Sequence, residues 1–327
     1  MLLKKVAYLS ASMLLASAAM GATAQAQTTL TLINEYPATS ITATADLNFA
    51  EQVEELSEGS LLIETLQEGD NPFKGVDQVD AITNGEAQMG TLFGGILGAR
   101  DSLFLLSSLP FAARDFAEAR AIYTCAKPAL EERAQQLNAR LLYVTPWPPS
   151  GIWSVESLES AADLEQLKIR TYDETSKSVF ERLGAESVHL PYSDLSEKLA
   201  AGEVNAVLTS GDGGAGRNLW DHLPHFTAVS YSIPLSYTII NLDAWNSLDG
   251  NQQAILLQAA EQVSEASWSG VEQRIDANYA RMRDNGMTLN TDPSTSVMDA
   301  LRQGGSDETD VWLEENQLSE TEAACLS

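Results

Sequence analysis

Six consecutive residues, Gly211 to Gly216, fit the pattern G-x-G-x-x-G and follow a β-rich segment. In dinucleotide-binding folds such glycines let the backbone approach a pyrophosphate, and an acidic residue about 20 positions later binds the ribose. Here no Asp or Glu lies between Asp221 and Asp243, and the pattern is far from the first strand of the chain. The sequence therefore favours a tight glycine turn, with its backbone facing a cleft, over a dinucleotide site, and no cofactor is expected.

Other arrangements that could carry out catalysis are weak. His222 and His225 have the spacing H-x-x-H, but two imidazoles supply at most half of a metal site, and the sequence implies no third ligand. No G-x-S-x-G motif occurs, and no serine can be tied to a histidine and an acid. We therefore predict no catalytic residues, no metal site and no enzyme activity, and we interpret the many carboxylates as a solvated shell.

The net charge excludes one large class of partners. The 327 residues include 46 Asp and Glu against 19 Lys and Arg, which gives a formal charge of −27 at pH 7. Binding to a nucleic acid needs clustered cations, and the chain offers no such cluster. The apolar content of 44% is that of a globular protein. A small anion can still be bound if one cation is buried in a cleft.

Residues 1–26 have the pattern of a secretory signal peptide. Two lysines precede an apolar run from Val6 to about Ala19, and Ala24-Gln25-Ala26 completes the small-residue cleavage pattern. The run is shorter than the roughly 20 apolar residues of a membrane span. We therefore predict cleavage after Ala26 and a periplasmic protein that is not embedded in a membrane.

The two cysteines of the chain, Cys125 and Cys325, are 200 residues apart. In an oxidising compartment they could pair and tie the C-terminal tail to the body of the protein. Because separation along the chain fixes no distance in the fold, a disulfide and a pair of free thiols both remain open.

Strands and helices alternate along the rest of the chain. Alternating β-rich segments predict strands at 29–34, 61–66, 89–93, 141–144, 167–172 and 204–209. Apolar residues three and four apart predict helices from 47 to a stop at Gly59, at 76–83, up to about 183, and from about 248 to 285. The last helix would extend about 50 Å, enough to cross two lobes or to form a dimer arm. Trp147-Pro148-Pro149 predicts a crossing between lobes, because prolines interrupt regular elements.

Several segments of the chain resemble the solute-binding proteins of TRAP transporters (the DctP type). That family has the pattern DLKGLKIR … LGA … P … E … L … G.VDG and, earlier, FA..V...S.G. The matching segments here are DLEQLKIR at 163–170, LGA at 183–185, LPY at 190–192, LAAGEVNA at 199–206, and FAEQV with SEG between 49 and 59. The resemblance covers essentially the whole chain after the signal peptide, in order and spacing.

This resemblance implies an α/β fold of the two-lobed periplasmic-binding-protein type, with a ligand cleft between the lobes and the long helix spanning both. We assign 27–147 plus 235–275 to lobe I and 148–234 plus 276–327 to lobe II. The resemblance also implies a receptor that closes on a small organic acid and delivers it to the permease subunits of a TRAP transporter. Two alternatives are kept: a receptor of an ABC importer, and a secreted enzyme, which a turnover assay would detect.

Arg170 ends the KIR segment, where the resemblance implies the residue that pairs with the ligand carboxylate. A guanidinium can bind a carboxylate through two parallel hydrogen bonds. Three positions depart from the family pattern: Ser150 stands where many members have a second arginine, Thr209 where Asn or Asp is common, and Phe93 where an acid is found. Fewer charges and more rings favour a monocarboxylate with an aromatic or hydrophobic body.

Further candidates for the cleft wall lie on or beside the same strand ends, where aromatic rings can stack on a flat ligand. They are Trp147, Trp153, Tyr172, Tyr192, Glu35 and Tyr36. Each ring taken alone is more often a core residue, so their grouping in one site is a hypothesis that depends on the fold.

Overall fold

A computed structural model describes residues 27–316 and 318–326, so the predicted signal peptide lies outside the described residues. The strands in this part of the chain are β1 (Thr28–Ile33), β2 (Leu61–Leu66), β3 (Met89–Phe93), β4 (Ala139–Pro146), β5 (Ser150–Ser154), β6 (Lys168–Thr171), β7 (Glu186–His189), β8 (Ala206–Ser210), β9 (His225–Thr227), β10 (Leu235–Asn241) and β11 (Thr288–Asn290). The α-helices are α1 (Ile41–Leu56), α2 (Val76–Thr83), α3 (Gly94–Gly98), α4 (Phe116–Gln136), α5 (Ala161–Leu164), α6 (Glu174–Arg182), α7 (Leu195–Ala200), α8 (Gly211–Gly216), α9 (Leu242–Ser247), α10 (Gly250–Asp284), α11 (Thr295–Asn316) and α12 (Glu320–Ala323).

The described strands form two sheets, and each sheet is the centre of one lobe. The first sheet has the order β2-β1-β3-β10-β4, and the second has the order β11-β9-β5-β8-β6-β7. In the first lobe β1 is parallel to β2 and β3, whereas β10 runs antiparallel between β3 and β4. In the second lobe β6 is parallel to β7 and β8, and β5 is antiparallel to β8 and β9. The predicted two-lobed α/β fold is confirmed.

The chain passes between the two sheets at three places. It leaves β4 at Pro146 and enters β5 at Ser150, it returns over residues 228–234 to β10, and α10 finally leads to β11. Pro148 and Pro149 stiffen the first crossing, because a proline ring holds φ at about −65°. The lobe boundaries assigned from the sequence stay a prediction.

The longest helix, α10, confirms the long element predicted from the sequence. Its 35 residues extend about 52 Å at roughly 1.5 Å per residue. Asp249 caps its N-terminus by accepting hydrogen bonds from the backbone N–H groups of Asn251 and Gln252, at 2.9 and 2.8 Å. The helix packs against α1 and β4 of the first lobe and against α8 of the second. Within the described ranges no helix is long and apolar enough to cross a membrane.

Several elements differ from the sequence prediction, and α11 and β10 have no counterpart in it. The segment Gly211–Gly216 is the short helix α8, and the predicted tight turn is wrong: the Ser210 hydroxyl caps this helix by accepting from the Gly213 N–H at 3.1 Å. The helix α4 has no counterpart in the prediction, because Pro128 lies inside it and its apolar pattern is weak. Only four residues of α4 are buried, so the helix shows little of the periodicity that identifies a helix in a sequence.

Cys125 and Cys325 form a disulfide, which settles the alternative left open by the sequence. Cys125 belongs to α4, and α4 packs against β4 of the first sheet. The disulfide therefore attaches the tail that includes Cys325 to α4, beside the first sheet. Arg133 of α4 also holds this tail through an ion pair with Glu322, at 3.2 Å.

Replacing both cysteines with serine is expected to lower the free energy of unfolding by about 2–4 kcal/mol, because the disulfide restricts the unfolded chain. It does so across a sequence separation of 200 residues. Urea titrations of the oxidised wild type, the reduced wild type and the double variant measure the effect. The reduced wild type and the double variant should have the same free energy of unfolding, and it should be lower than that of the oxidised wild type. Equal stability of all three would contradict a stabilising disulfide.

Asp46 of α1 is fully buried against the first sheet and accepts three side-chain hydrogen bonds. Asn34, Thr91 and Tyr143 donate to its carboxylate at 2.6, 2.6 and 2.7 Å. Each of these bonds favours the ionised carboxylate, but burial outweighs them and raises the pKa of Asp46 to about 6. The network fixes the start of α1 over β1 and β3, next to the strand ends.

The stability of the protein is expected to depend on pH through Asp46. Its pKa of about 6 lies above the ordinary value of 3.8, so the folded state binds a proton more readily than the unfolded state. The contribution favours folding at about pH 4 and is lost as the pH rises through about 6, a change of about 3 kcal/mol at roughly 1.4 kcal/mol per pKa unit. In denaturant titrations, the free energy of unfolding of Asp46→Asn, relative to that of the wild type, should rise by that amount between about pH 4 and about pH 7. A difference that does not vary with pH would contradict this assignment.

Candidate functional site

A cavity lies between the two sheets, where their strand ends face each other. The carboxyl ends of parallel strands are the usual ligand-binding edge of open α/β sheets. The cavity is small, and the space between its lining atoms, open solvent included, is about 310 Å³. Its lining residues are Tyr36, Phe93, Trp147, Ser150, Arg170, Tyr172, Tyr192, Thr209, Ser210 and Pro234.

Eight of the ten site residues predicted from the sequence line this cavity, and Glu35 and Trp153 do not. The Trp153 indole N–H donates to the Ser210 carbonyl at 3.2 Å, and its ring packs on Phe226, so Trp153 supports the wall from behind. Glu35 accepts a hydrogen bond from the Gly75 N–H at 3.0 Å, also outside the cavity. The role of the other eight in ligand binding stays a prediction.

Arg170 is the third residue of β6, and only 3% of it is exposed. Its Nε and Nη2 both donate to the carbonyl oxygen of Leu190, at 2.9 and 2.7 Å. The backbone of Leu190 therefore fixes one edge of the guanidinium. The other edge, formed by Nη1 and Nη2, has no ion-pair partner in residues 27–316 and 318–326, and Arg170 is among the residues that line the cavity.

The electrostatics around Arg170 leave its charge incompletely balanced. Burial lowers the pKa of Arg170, while Tyr36 and Glu35 act in the opposite direction. Burial in turn raises the pKa of Glu35, against the Gly75 N–H and Arg170, which lower it. One oxygen of Glu35, Oε1, has no hydrogen-bond partner within the described structure. A buried cation beside an acid that resists ionisation favours a second anion, and a ligand carboxylate would supply it.

Three aromatic side chains of the wall, Trp147, Tyr172 and Tyr192, have their polar atoms hydrogen-bonded within the protein. The Trp147 indole N–H donates to Ser236 at 2.9 Å, and the Tyr172 hydroxyl pairs with Ser232 at 2.7 Å. The Tyr192 hydroxyl donates to the carbonyl of Gly213. These rings offer mainly apolar surface near the one cation of the wall, a combination that suits a compact ring with a single acid group.

The two lobes are in contact around the cavity. Tyr36 of the first lobe lies against Tyr192 of the second, with ring centroids 4.7 Å apart. Arg217 of the second lobe forms an ion pair with Glu68 of the first and lies 4.3 Å from the centre of the Tyr192 ring. The structure is thus the closed arrangement of the lobes.

Several residues that shape the site are missing from the sequence prediction. Ser210 and Pro234 line the cavity, Leu190 orients Arg170, and Ser232 and Ser236 hold the rings. Ser210 directly follows Thr209, so it could have been found from the same strand end. The others act through a carbonyl or lie in and beside the crossing 228–234, which has no periodic pattern.

The cavity wall does not include the two histidines considered as metal ligands. In the part of the chain that the structure describes, no group of three or more His, Cys, Asp or Glu residues could hold a metal ion. His222 is exposed, and His225 belongs to β9, away from the cavity wall.

Comparisons with solved structures support the fold. A marine metagenome TRAP solute-binding protein, described as specific for pyroglutamate and solved with co-purified pyroglutamate, is 26% identical over 92% of this chain and 98% of its own, with a TM-score of 0.86. An extracytoplasmic solute receptor of Bordetella pertussis that binds pyroglutamic acid is 23% identical over 91% and 99%, with a TM-score of 0.86. A TRAP solute-binding protein of Roseobacter denitrificans with bound β-D-glucuronate is 15% identical over 91% and 98%, with a TM-score of 0.83.

The family model for bacterial extracellular solute-binding proteins of family 7 matches residues 34–304, which is most of the chain. This match includes every described strand except β1, and every residue that lines the cavity. The resemblance to TRAP solute-binding proteins is confirmed, and neither an ABC importer receptor nor a secreted enzyme finds support. The chain belongs to the bacterial extracellular solute-binding protein family 7.

Proposed function

We propose that this TRAP-type solute receptor binds a compact, ring-bearing monocarboxylic acid in the cavity, and that pyroglutamate is its ligand. The observation that carries the proposal is the free edge of the buried Arg170, which lies in a small cavity walled by rings. Pyroglutamate combines a five-membered ring, one carboxylate and one lactam amide. Its carboxylate would meet Nη1 and Nη2, and charge-assisted hydrogen bonds of this kind contribute about 1.5–3 kcal/mol each.

The polar groups of the wall suit a lactam better than a polyol. Ser150, Thr209 and Ser210 bring hydroxyl groups to the cavity at the adjoining ends of β5 and β8, where a lactam N–H and carbonyl could pair with them. A uronate carries several hydroxyls, and a ligand hydroxyl without a partner in a closed site costs affinity. The co-purified pyroglutamate of the 26% identical protein supports the same choice.

A dicarboxylate is disfavoured for an electrostatic reason. Arg170 is the only arginine or lysine among the residues that line the cavity. Glu35 lies behind Tyr36 and interacts with the same guanidinium. A second ligand carboxylate would therefore be buried without a cation, which is costly.

Binding is coupled to closure of the lobes. Tyr36, Phe93 and Trp147 belong to the first lobe, whereas Arg170 and Tyr172 belong to the second. A ligand between them gains its contacts fully only when the lobes are closed, so it shifts the open–closed equilibrium by its higher affinity for the closed state. In the periplasm the closed form would deliver the ligand to the TRAP permease, unchanged and without catalysis.

A thermal-shift and calorimetric screen tests this proposal. The purified protein is titrated with pyroglutamate, benzoate, succinate, glucuronate and proline, and each ligand is recovered afterwards to check that it is unchanged. At 100 times its Kd, a ligand stabilises the folded state by about 2.7 kcal/mol. Pyroglutamate is expected to give the largest shift. Tighter binding of succinate or glucuronate, or no binding of any acid, would contradict the proposal.

A further inference from the structure

The glycine-rich segment of α8 contains one acidic residue, Asp212, which is 1% exposed. A buried carboxylate is costly unless charged or polar donors surround it. Neither the cavity nor the ligand contacts proposed above account for this residue, because Asp212 does not line the cavity. Its burial therefore indicates a role outside the cavity.

The partners of Asp212 come from the opposite lobe and from the long helix. Its Oδ1 accepts a hydrogen bond from the backbone N–H of Ile41, at 2.9 Å. Its Oδ2 accepts from Asn278 at 2.9 Å and forms an ion pair with Arg274, both on α10. Arg274 also donates to the carbonyl of Thr39, just ahead of α1. One carboxylate thus joins the second lobe, the first lobe and α10.

The contact with Ile41 uses a group that the first lobe cannot satisfy within its own helix. Ile41 is the first residue of α1, and the first N–H groups of a helix have no partner inside it. The positive end of the helix dipole adds a favourable interaction with an anion at this point. Because Ile41 and Asp212 lie in different lobes, opening the lobes would break this hydrogen bond.

The glycines around Asp212 explain how α8 can approach so closely. A Cβ at Gly214 would lie 2.0 Å from the Trp153 ring, and one at Gly213 would lie 2.4 Å from the Thr209 hydroxyl. A Cβ at Gly211 would lie 3.2 Å from Tyr279 of α10. The glycine pattern that resembles a nucleotide-binding motif thus allows α8 to pack closely against the cavity wall and α10.

We infer that Asp212 is a positioning residue that holds the closed arrangement of the lobes by binding the start of α1 and Arg274. The link to the ligand is short: Ser210 lines the cavity, caps α8, and precedes Asp212 by two residues. This inference rests on the proposed function in one respect, namely that ligand binding and lobe closure are coupled.

The test compares Asp212→Ala and the isosteric Asp212→Asn with the wild type. The control is Asp221→Asn, which removes the same charge from an exposed position in the same lobe. Pyroglutamate dissociation is followed by stopped-flow, lobe separation by X-ray scattering, and unfolding of the ligand-free protein by a thermal scan. Loss of a hydrogen bond to a charged group should raise the dissociation rate in Asp212→Ala by about 10-fold or more. Asp212→Asn should lie between it and the wild type, because its amide oxygen can still accept from Ile41.

A purely structural role predicts a different outcome. Unfolding temperatures of the ligand-free variants would fall, while dissociation rates stayed within about twofold of the wild type, and this would overturn the inference. An equal effect of Asp221→Asn would also overturn it. Arg274→Gln should raise the dissociation rate less in the Asp212→Ala variant than in the wild type, because only the bond to the Thr39 carbonyl is then left to lose.

Failure of the proposed ligand is distinguishable from failure of this inference. If the wild type does not bind pyroglutamate, the ligand proposal is wrong. X-ray scattering of the ligand-free proteins then tests the role of Asp212. A larger radius of gyration in Asp212→Ala than in the wild type would support the inference. Equal radii in the two proteins would overturn it.

Discussion

Replacing Arg170 with alanine is expected to weaken ligand binding by at least about 100-fold, because two charge-assisted hydrogen bonds of about 1.5–3 kcal/mol each are lost. The fold should remain, since the side chain of Arg170 hydrogen-bonds only to the carbonyl of Leu190 within the described residues. Arg170→Lys should bind with intermediate affinity, because it keeps the charge but cannot present two donors in a plane. Calorimetric titration with pyroglutamate measures all three proteins.

The control for this variant is Arg100→Ala on the first lobe. Arg100 forms an ion pair with Asp80 at 2.6 Å, but 38% of its side chain is exposed. Its removal lowers the positive charge by the same amount without touching the cavity, so the affinity should be unchanged. If Arg170→Ala bound pyroglutamate as tightly as Arg100→Ala, the site assigned here would be wrong.

Adding a methyl group at Gly95 is expected to hinder closure of the lobes. Gly95 belongs to α3 of the first lobe, and a Cβ there would lie 2.9 Å from the carbonyl oxygen of Tyr172 in the second lobe. It would also lie 2.7 Å from the ring of Phe93. Overpacking of this kind costs about 1–3 kcal/mol. The part that comes from the Tyr172 carbonyl falls on the closed state alone, so the affinity of Gly95→Ala should decrease by up to about 10-fold.

Gly270→Ala is the matched control, because the same methyl group on α10 would meet no atom within 4 Å. Calorimetry gives the affinities, and X-ray scattering with saturating pyroglutamate gives the degree of closure. Gly95→Ala should contract less than Gly270→Ala when the ligand is added. Equal affinity and equal contraction would show that the lobes do not approach as closely at Tyr172 as the structure places them.

The positions of the site residues were largely predictable because strand ends have a clear sequence pattern. Alternating β-rich segments identified β3, β6 and β8, and the cavity lies at their carboxyl ends. Arg170 depended on the family resemblance of its flanking residues, since composition and periodicity do not separate a ligand-binding arginine from a surface ion pair.

Strand and loop geometry explains why two of the predicted wall residues do not line the cavity. Ser150 and Trp153 are three residues apart on β5, and positions separated by an odd number lie on opposite faces of a strand. Only Ser150 therefore reaches the cavity. Glu35 and Tyr36 are neighbours after β1, and again only the second lines the cavity.

Contacts between residues that are distant in sequence could not be predicted from local sequence patterns. The Cys125–Cys325 disulfide closes a separation of 200 residues, and the Leu190 carbonyl acts on Arg170 through the backbone. For α8 the local signal pointed the wrong way, since glycine disfavours helix by about 1 kcal/mol per residue. Packing against Trp153 and α10 and the cap from Ser210 overrode that preference.

The most direct test of the central claim is a crystal structure of the protein grown with pyroglutamate. One molecule is expected in the cavity between the sheets, with its carboxylate oxygens about 2.7–2.9 Å from Nη1 and Nη2 of Arg170. Its ring should lie between the aromatic side chains of the two lobes. A ligand bound elsewhere, or a carboxylate in the cavity that does not contact Arg170, would contradict the account.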